Sequence, residues 1–178
     1  MSARDRILDT LEAILISEGE RGATLDAVAA KAGVSKGGLL YHFRNRDALV
    51  VGLLDRLLRF AEEDRASMAS SPEGPSAYYL TTSATTGTPF DRTLIAVTRL
   101  GIEKNARAGE TIRAIQQGWF ELLSAEIGDA GIARAIMLMG DGLYYNAAFG
   151  SASMQEATDL SQLLRVLDGL KRAATHPG

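Results

Sequence analysis

Residues 24–43 read TLDAVAAKAGVSKGGLLYHF, and this pattern predicts two short helices joined by a tight turn. Thr24 is a good N-cap for the first helix, and Gly33 can supply the positive φ that ends it. Ser35 is the matching N-cap of the second helix. The second helix has little apolar surface of its own, so its neighbours must hold it in place. Short helices presented in this way are typical of proteins that insert a helix into the major groove of DNA.

The composition fits a protein with an ample apolar core and excludes several kinds of site. The chain has 178 residues, of which 46% are hydrophobic, a formal net charge of −3 and no cysteine. Without cysteine there can be no disulfide, thiolate metal site or thiol catalysis. No apolar run approaches the roughly 18 residues of a membrane span, and no signal peptide is evident. We therefore expect a cytoplasmic protein that needs no cofactor or metal and has no membrane partner.

Helical periodicity dominates the whole chain, and strand signals are nearly absent, so we expect an all-α fold of about nine helices. Ser2 is the expected N-cap of the first helix and Asn45 that of a long fourth helix. Clusters of proline and glycine predict breaks at residues 70–75 and 85–89. The later helices are expected at residues 77–84, 90–105, 110–127, 132–149 and 154–174.

The N-terminal pattern resembles that of the tetracycline-repressor (TetR) family of bacterial transcription regulators. The resemblance covers about the first 55 residues and rests on Ala-Gly-Val-Ser at 32–35, Tyr-His-Phe at 41–43 and Asp-Ala-Leu at 47–49. It implies that three N-terminal helices bind DNA, while a helical C-terminal domain binds a small effector and dimerises. We accordingly expect a helix-turn-helix DNA-binding domain at residues 1–48 and an effector-binding and dimerisation domain at residues 49–178.

The chain departs from the family pattern in two respects. The pair Gly37-Gly38 makes the third helix intrinsically weak, by roughly 1 kcal/mol per glycine. Arg46 stands where a lysine is common, and a guanidinium should keep the same contact with a phosphate.

The candidate DNA contacts follow from this resemblance and from side-chain chemistry. Lys36 is best placed to reach a base edge, most simply O6 and N7 of guanine. Hydroxyl groups, imidazole and guanidinium suit phosphate oxygens, and a glycine lets the backbone approach the groove. The predicted contacts are Arg4, Thr24, Ser35, Lys36, Gly37, Tyr41, His42 and Arg46. Packing is the alternative role for Tyr41 and His42, and a solvated surface charge is the alternative for Arg4.

Four apolar side chains of the same stretch are expected to lie in the core: Val34, Leu39, Leu40 and Phe43.

The C-terminal part is rich in aromatic residues at helical spacing. Such a set is typical of an apolar ligand site, and it is also typical of an ordinary core. The predicted ligand contacts are Tyr78, Trp119, Phe120, Tyr144, Tyr145 and Phe149. Trp119 and Tyr145 are the preferred ones, because each combines an apolar body with a polar tip.

The last two predicted helices have the features of a dimer interface. Small residues and methionines share one face of the helix at 132–149, and a nearly heptad stripe of leucines follows the final helix. The predicted dimer contacts are Met137, Gly140, Leu163 and Leu167. Internal packing is the alternative for a lone stripe of this kind.

The leading hypothesis is a homodimeric DNA-binding regulator, a repressor that a small apolar or aromatic effector releases from double-stranded operator DNA. The alternative is a DNA-binding regulator without an effector. A helical enzyme or a ligand carrier ranks third. We expect no enzyme, since the chain has no P-loop and no metal-ligand spacing, and only His42 and His176 could serve as general bases.

Overall fold

The computed structural model describes residues 2–101, 105–150 and 159–175. Within these ranges it contains nine α-helices and no strand, which confirms the all-α prediction. The helices are α1 (Ala3–Gly22), α2 (Leu25–Lys31), α3 (Lys36–His42), α4 (Arg46–Ala69), α5 (Pro75–Ser83), α6 (Pro89–Thr98), α7 (Ala106–Ile127), α8 (Ala130–Phe149) and α9 (Leu160–Thr175). Among the described residues, no helix combines the length and apolarity needed to cross a bilayer.

The helix starts agree with the N-caps expected from the sequence. The Ser2 hydroxyl accepts a hydrogen bond from the Asp5 amide at 3.1 Å, and the Asp5 carboxylate accepts one from the Ser2 backbone, which completes a capping box. The side-chain oxygen of Asn45 accepts from the Ala48 amide at 2.8 Å. These contacts are local in sequence, so the residue types alone could predict them.

One helix is shorter than expected. The sequence predicted a helix to residue 105, but α6 ends at Thr98. Gly101 has a φ of 69°, the left-handed conformation in which glycine commonly ends a helix. Residues 102–104 and the expected start of the last helix at residue 154 lie outside the described residues.

The chain divides into two compact units, and α4 and α7 each contribute to both. The first unit consists of Met1–Ala61 and Thr88–Ala114, and the second of Glu62–Gly87 and Ile115–Gly178. The core of the first unit receives buried side chains from α1, α2, α3, α4 and α6. Its fully buried side chains include Ile7, Leu8, Leu11, Ile14, Leu15, Leu39, Leu49, Leu53 and Leu57.

The second unit is built around the close approach of α5 and α8. The ring of Tyr79 on α5 lies against Gly140 on α8, where a Cβ atom would overlap the ring. Glu126 on α7 accepts a hydrogen bond from the Ser76 amide at 2.7 Å, and so caps α5, whose own N-cap residue is a glycine. Lys171 on α9 pairs with the same carboxylate at 2.7 Å. One carboxylate thus joins three helices.

Candidate nucleic-acid interface

The helices α2 and α3 of the first unit form a helix-turn-helix whose ends are fixed by local capping. The hydroxyl of Thr24 accepts from the Ala27 amide at 3.2 Å, and that of Ser35 accepts from the Gly38 amide at 3.0 Å. Gly33 between the two helices has a φ of 65°. Each hydroxyl still has its own proton to donate, so both remain available to a phosphate oxygen.

The outer face of α3 is exposed over the whole length of the helix. It consists of Lys36, Gly37, Leu40 and Tyr41, spaced i, i+1, i+4 and i+5 along the chain. Tyr41 is 87% exposed, and its ring makes an edge-on contact with the exposed ring of His42, at 5.2 Å between centroids. A tyrosine displayed in this way contributes little to the core and is open to a partner.

The prediction that Leu40 lies in the core is wrong. Leu40 is 37% exposed, whereas Leu39 and Phe43 are almost fully buried. A seven-residue helix buries only one narrow stripe, and the pair Leu39 and Phe43 at i and i+4 fills it. Leu40 is one position further round and adds an apolar side chain to the outer face, where it could contact a thymine methyl group.

Two of the cations predicted to touch DNA each have a carboxylate partner on the same unit. Nζ of Lys36 lies 2.8 Å from one oxygen of Asp26 and 3.2 Å from the other. Nη2 of Arg46 lies 3.1 Å from the Glu20 carboxylate. These partners are 10 and 26 residues away in sequence, so no local pattern predicted them. Exposed ion pairs contribute about 0–1 kcal/mol, and a phosphate can therefore displace them.

An open groove of about 540 Å³ brings these charged groups together. Its lining comprises Glu20, Arg21, Ala23, Thr24, Leu25, Asp26, Lys36 and Arg46. Three of the predicted DNA-contact residues and their neighbours thus share one surface, in which basic side chains outnumber acidic ones. This charge balance suits a phosphate backbone.

Arg4 lies close to the C-terminal end of α3. Its guanidinium carbon is 5.1 Å from the centroid of the Phe43 ring, a cation–π contact that orients an otherwise exposed side chain. The contact holds the positive charge near the C-terminal end of α3.

In the second unit, Asp64 brings together two of the predicted ligand contacts. Its two carboxylate oxygens accept from the Tyr78 hydroxyl at 3.0 Å and from Nε1 of Trp119 at 2.8 Å. The Trp119 ring also lies 5.6 Å from that of Tyr79. Asp64 belongs to a charged run at residues 62–65 that reads as a solvated helix face, so the sequence offered no signal for this role.

The other predicted ligand contacts lie in different surroundings. The guanidinium of Arg134 covers the Phe120 ring at 4.0 Å. Tyr144 is half-buried. Tyr145 and Phe149 are 61% and 50% exposed and pair with each other at 5.6 Å between ring centroids. The six residues therefore do not share a single environment.

The two halves of the chain match two related family models. Residues 7–53 match the model for bacterial regulatory proteins of the tetR family. Residues 73–172, more than half of the chain, match the model for the tetracyclin repressor-like C-terminal domain. The chain belongs to the TetR family.

Individual proteins resemble this TetR-family chain in part or in fold. A helix-turn-helix-type transcriptional regulator from the dhlA 5′ region of Xanthobacter autotrophicus is 40% identical over 52 residues, which are 29% of this chain and 26% of that relative. The match thus spans about a quarter of the relative's length.

Two solved structures share the fold over nearly the full length. A TetR-family regulator from Rhodococcus sp. has a TM-score of 0.70 at 20% identity, with 96% of this chain and 100% of that one covered. NalD, the secondary repressor of the MexAB-OprM multidrug efflux pump in Pseudomonas aeruginosa, has a TM-score of 0.65 at 19% identity, with 96% and 94% covered. At these identities the likeness shows the fold alone.

The predicted dimer contacts of this TetR-family protein are used within its own second unit. Met137 and Leu167 are 3% and 1% exposed, Gly140 is covered by Tyr79, and Leu163 packs against the same core. Internal packing, which the leucine stripe had left open, accounts for all four positions. Their role in dimerisation stays a prediction.

Apolar side chains at other positions of α8 and α9 are exposed instead. Leu138, Tyr145 and Phe149 follow one another at i, i+7 and i+11 on α8 and so form one stripe. Val166 on α9 is 50% exposed. We call the three exposed residues on α8 the apolar stripe. The stripe lies on a different side of the helix from the buried positions. Composition alone could not predict which side would be exposed.

A buried charge cluster in the first unit was also missed by the sequence analysis. Arg56 on α4 is 7% exposed and lies 2.5 Å from Asp9 and 3.0 Å from Glu12, both on α1. The hydroxyl of Thr93 on α6 donates to Glu12 at 2.7 Å. Burial by itself would lower the pKa of Arg56, but the hydrogen bonds to Asp9 and Glu12 outweigh it and raise that pKa. The guanidinium therefore stays charged.

Proposed function

We propose that this TetR-family protein is a homodimeric transcriptional repressor that reads double-stranded operator DNA with α3 and is released by a small apolar or aromatic effector. The observation that carries the proposal is the exposed outer face of α3, with Lys36 and Tyr41 displayed by a helix that Leu39 and Phe43 hold in place. Family membership supports a regulatory role, and such a regulator acts in the cytoplasm, where its operator lies.

The side chains of the helix-turn-helix divide into two kinds of contact. Lys36 and Leu40 can reach base edges, Lys36 as a donor to guanine and Leu40 as an apolar neighbour of a thymine methyl group. Phosphate contacts fix the register without reading sequence. We assign that role to Arg4, Thr24, Ser35, Tyr41, His42 and Arg46. Residues 1–48 are then the DNA-binding domain of the chain, and residues 49–178 bind the effector and dimerise.

We propose that the apolar stripe, rather than the buried leucines of α9, forms the centre of the dimer interface. Aromatic and aliphatic side chains that are half exposed or more in one chain gain most from burial in a second copy. A two-fold dimer would present two α3 helices to major-groove faces about 34–36 Å apart, or a multiple of that distance. The operator should therefore be a near-palindrome.

We place the effector site beside Tyr78 and Trp119. Both residues hydrogen-bond to Asp64 on α4. The N-terminal part of α4 belongs to the first unit, which also contains the helix-turn-helix. A ligand that changes these contacts would act on α4, and its effect on DNA is limited by its differential affinity for the two states of the protein. One structural neighbour, NalD, is named a repressor. This supports a response in which the effector releases the protein from DNA.

One observation favours the alternative, a regulator without an effector. Asp64 satisfies the polar groups of both Tyr78 and Trp119 within the chain, as in an ordinary core. In that case α4 would respond to no small molecule, and DNA binding would be constitutive.

The experiment begins by selecting binding duplexes from a random DNA pool with the purified protein. Apolar and aromatic compounds are then screened for quenching of Trp119, the only tryptophan in the chain. An effector must weaken binding to the selected duplex over the same concentration range, and by reciprocity the duplex must weaken effector binding by the same factor. Quenching that leaves duplex affinity unchanged at saturation supports the alternative, while failure to select any duplex contradicts both.

A further inference from the structure

The guanidinium of Arg4 lies where α1, α4 and the end of α3 meet. Its carbon is 5.1 Å from the centroid of the ring of Phe43, the residue that follows α3 directly. A Cβ atom added to Gly52 on α4 would lie 2.6 Å from that ring and 3.4 Å from Nη2 of Arg4. Phe43 is 2% exposed, whereas Arg4 is exposed on the first turn of α1. We call Phe43 and Gly52 the arginine seat.

The arginine seat leaves the hydrogen-bonding groups of Arg4 available to a phosphate. A cation–π contact uses none of the five N–H donors of a guanidinium. Among the described residues, no carboxylate forms an ion pair with Arg4, whereas Lys36 and Arg46 each have such a partner. Arg4 can therefore bind a phosphate without breaking an ion pair and without leaving the seat.

The charge of Arg4 is held beside two other side chains to which we assign phosphate contacts. Tyr41 and His42 end α3, immediately before Phe43. The carbonyl groups at the C-terminal end of a helix carry a negative partial charge, which repels phosphate. A cation at this end offsets the repulsion. Because the seat already orders the long side chain of Arg4, less conformational freedom is lost when DNA binds.

We propose that Phe43 and Gly52 are positioning residues, which order Arg4 in advance for contact with a DNA phosphate at the C-terminal end of α3. The inference rests on the proposed role of Arg4 as a phosphate contact. It assigns to two buried residues an effect on DNA affinity that needs no contact between them and the DNA. Because a phosphate contact does not read sequence, the seat should strengthen binding to operator and random DNA by the same factor.

A double-mutant cycle on DNA affinity separates this role from the packing of Phe43 in the core. The probes are a fluorescein-labelled selected duplex and a shuffled duplex of equal length and composition, titrated by anisotropy. Phe43→Leu keeps an apolar side chain but removes the ring. It should weaken binding more in the presence of Arg4 than in Arg4→Ala, by roughly two- to tenfold on both duplexes, the cost of ordering one long side chain. An effect that acts through the packing of α3 is common to both backgrounds and cancels.

Gly52→Ala gives a second route to the same cycle, because its methyl group would displace the Phe43 ring. Its effect on affinity should depend on Arg4 in the same way. The matched control is the cycle of Arg59→Ala and Phe60→Leu, a cation–π pair at 5.7 Å in the C-terminal half of α4, which should show no coupling. Circular dichroism verifies that each variant is folded, and either seat variant alone suffices for the test.

The inference is overturned if the seat variants weaken binding by the same factor with and without Arg4. A coupling confined to the selected duplex overturns it as well, because the contact would then read sequence. The proposed role of Arg4 is tested separately by Arg4→Ala alone, which should flatten the log–log salt slope by about one charge. That role is wrong if Arg4→Ala leaves both affinities and the salt slope unchanged.

Discussion

The guanidinium of Arg56 on α4 lies 3.0 Å from the carboxylate of Glu12 on α1, and both side chains are at least 90% buried. A buried charge is costly unless it is paired and hydrogen-bonded. Here Asp9 and Thr93 complete the hydrogen bonding, so that three helices of the first unit meet at one charge cluster. The cluster fixes where α1 and α4 lie within that unit.

Arg56→Ala should lower the free energy of unfolding by about 3–5 kcal/mol, because Glu12 would remain buried without its main cation. Urea denaturation followed by circular dichroism measures this quantity. The matched control is Arg59→Ala, which truncates an exposed arginine on the same helix and should cost less than about 1 kcal/mol. Equal urea midpoints for the two variants would show that the cluster does not stabilise the fold.

Because Tyr79 is buried, we expect the free energy of unfolding to fall at alkaline pH. The side chain is 5% exposed and donates to Asp141 at 3.0 Å. Burial raises its pKa, and the nearby Asp141 carboxylate adds to the rise. In the unfolded chain the phenol ionises near pH 10, while the folded protein retains the proton. The contribution of this group is therefore complete below pH 10 and is lost progressively as the pH rises above it.

The difference in unfolding free energy between the unmodified protein and Tyr79→Phe isolates this group. It should stay constant between about pH 7 and 9, then shrink by up to about 1.4 kcal/mol per pH unit above pH 10. Urea titrations at a series of pH values measure it. A difference that is still constant at pH 11 would mean that Tyr79 ionises as readily in the folded protein as in the unfolded one.

The apolar stripe predicts the position of the dimer interface. Leu138→Asp should convert a dimer into a monomer, because a carboxylate at the centre of an apolar interface loses its hydration. Light scattering at micromolar concentration measures the mass. Leu58→Asp is the control, since Leu58 is an exposed leucine on α4, 43% exposed, and lies outside the stripe. The proposed interface is wrong if both variants have the same mass.

Leu167 is not a suitable position for this test, although the sequence suggested it. At 1% exposure it belongs to the core of the second unit, and an aspartate there would unfold the chain whether or not it dimerises. Helicity by circular dichroism separates the two effects, and Leu138→Asp should retain it.

Features that depend on near neighbours in sequence were predictable. Thr24, Ser35 and Asn45 cap helices as their residue types and positions indicated, because a cap is a contact over three residues. On the outer face of α3, the sequence indicated exposure for Lys36 and Tyr41 but not for Leu40. Leu40 was misplaced because a seven-residue helix does not fix its own phase: the neighbours decide which leucine is buried.

Contacts between distant residues had no signal in a single sequence. Arg56 and Glu12 are 44 residues apart, and Trp119 and Asp64 are 55 apart. Each of these charges reads as an ordinary surface residue until the fold places it next to a partner. Asp26 is another example. In the sequence it looks like an ordinary surface acid, but in the fold it pairs with Lys36, the lysine proposed to read the operator.

The most direct test of the account is the affinity of Lys36→Ala for the selected duplex, measured by fluorescence anisotropy at fixed salt. The control is Arg113→Ala, which removes a positive charge from an exposed position on α7. We predict that Lys36→Ala weakens binding by about 1–3 kcal/mol, roughly 5- to 150-fold, and relaxes the base preference, while the control binds as the unmodified protein does. Equal affinities for Lys36→Ala and the control would contradict the claim that α3 reads the operator.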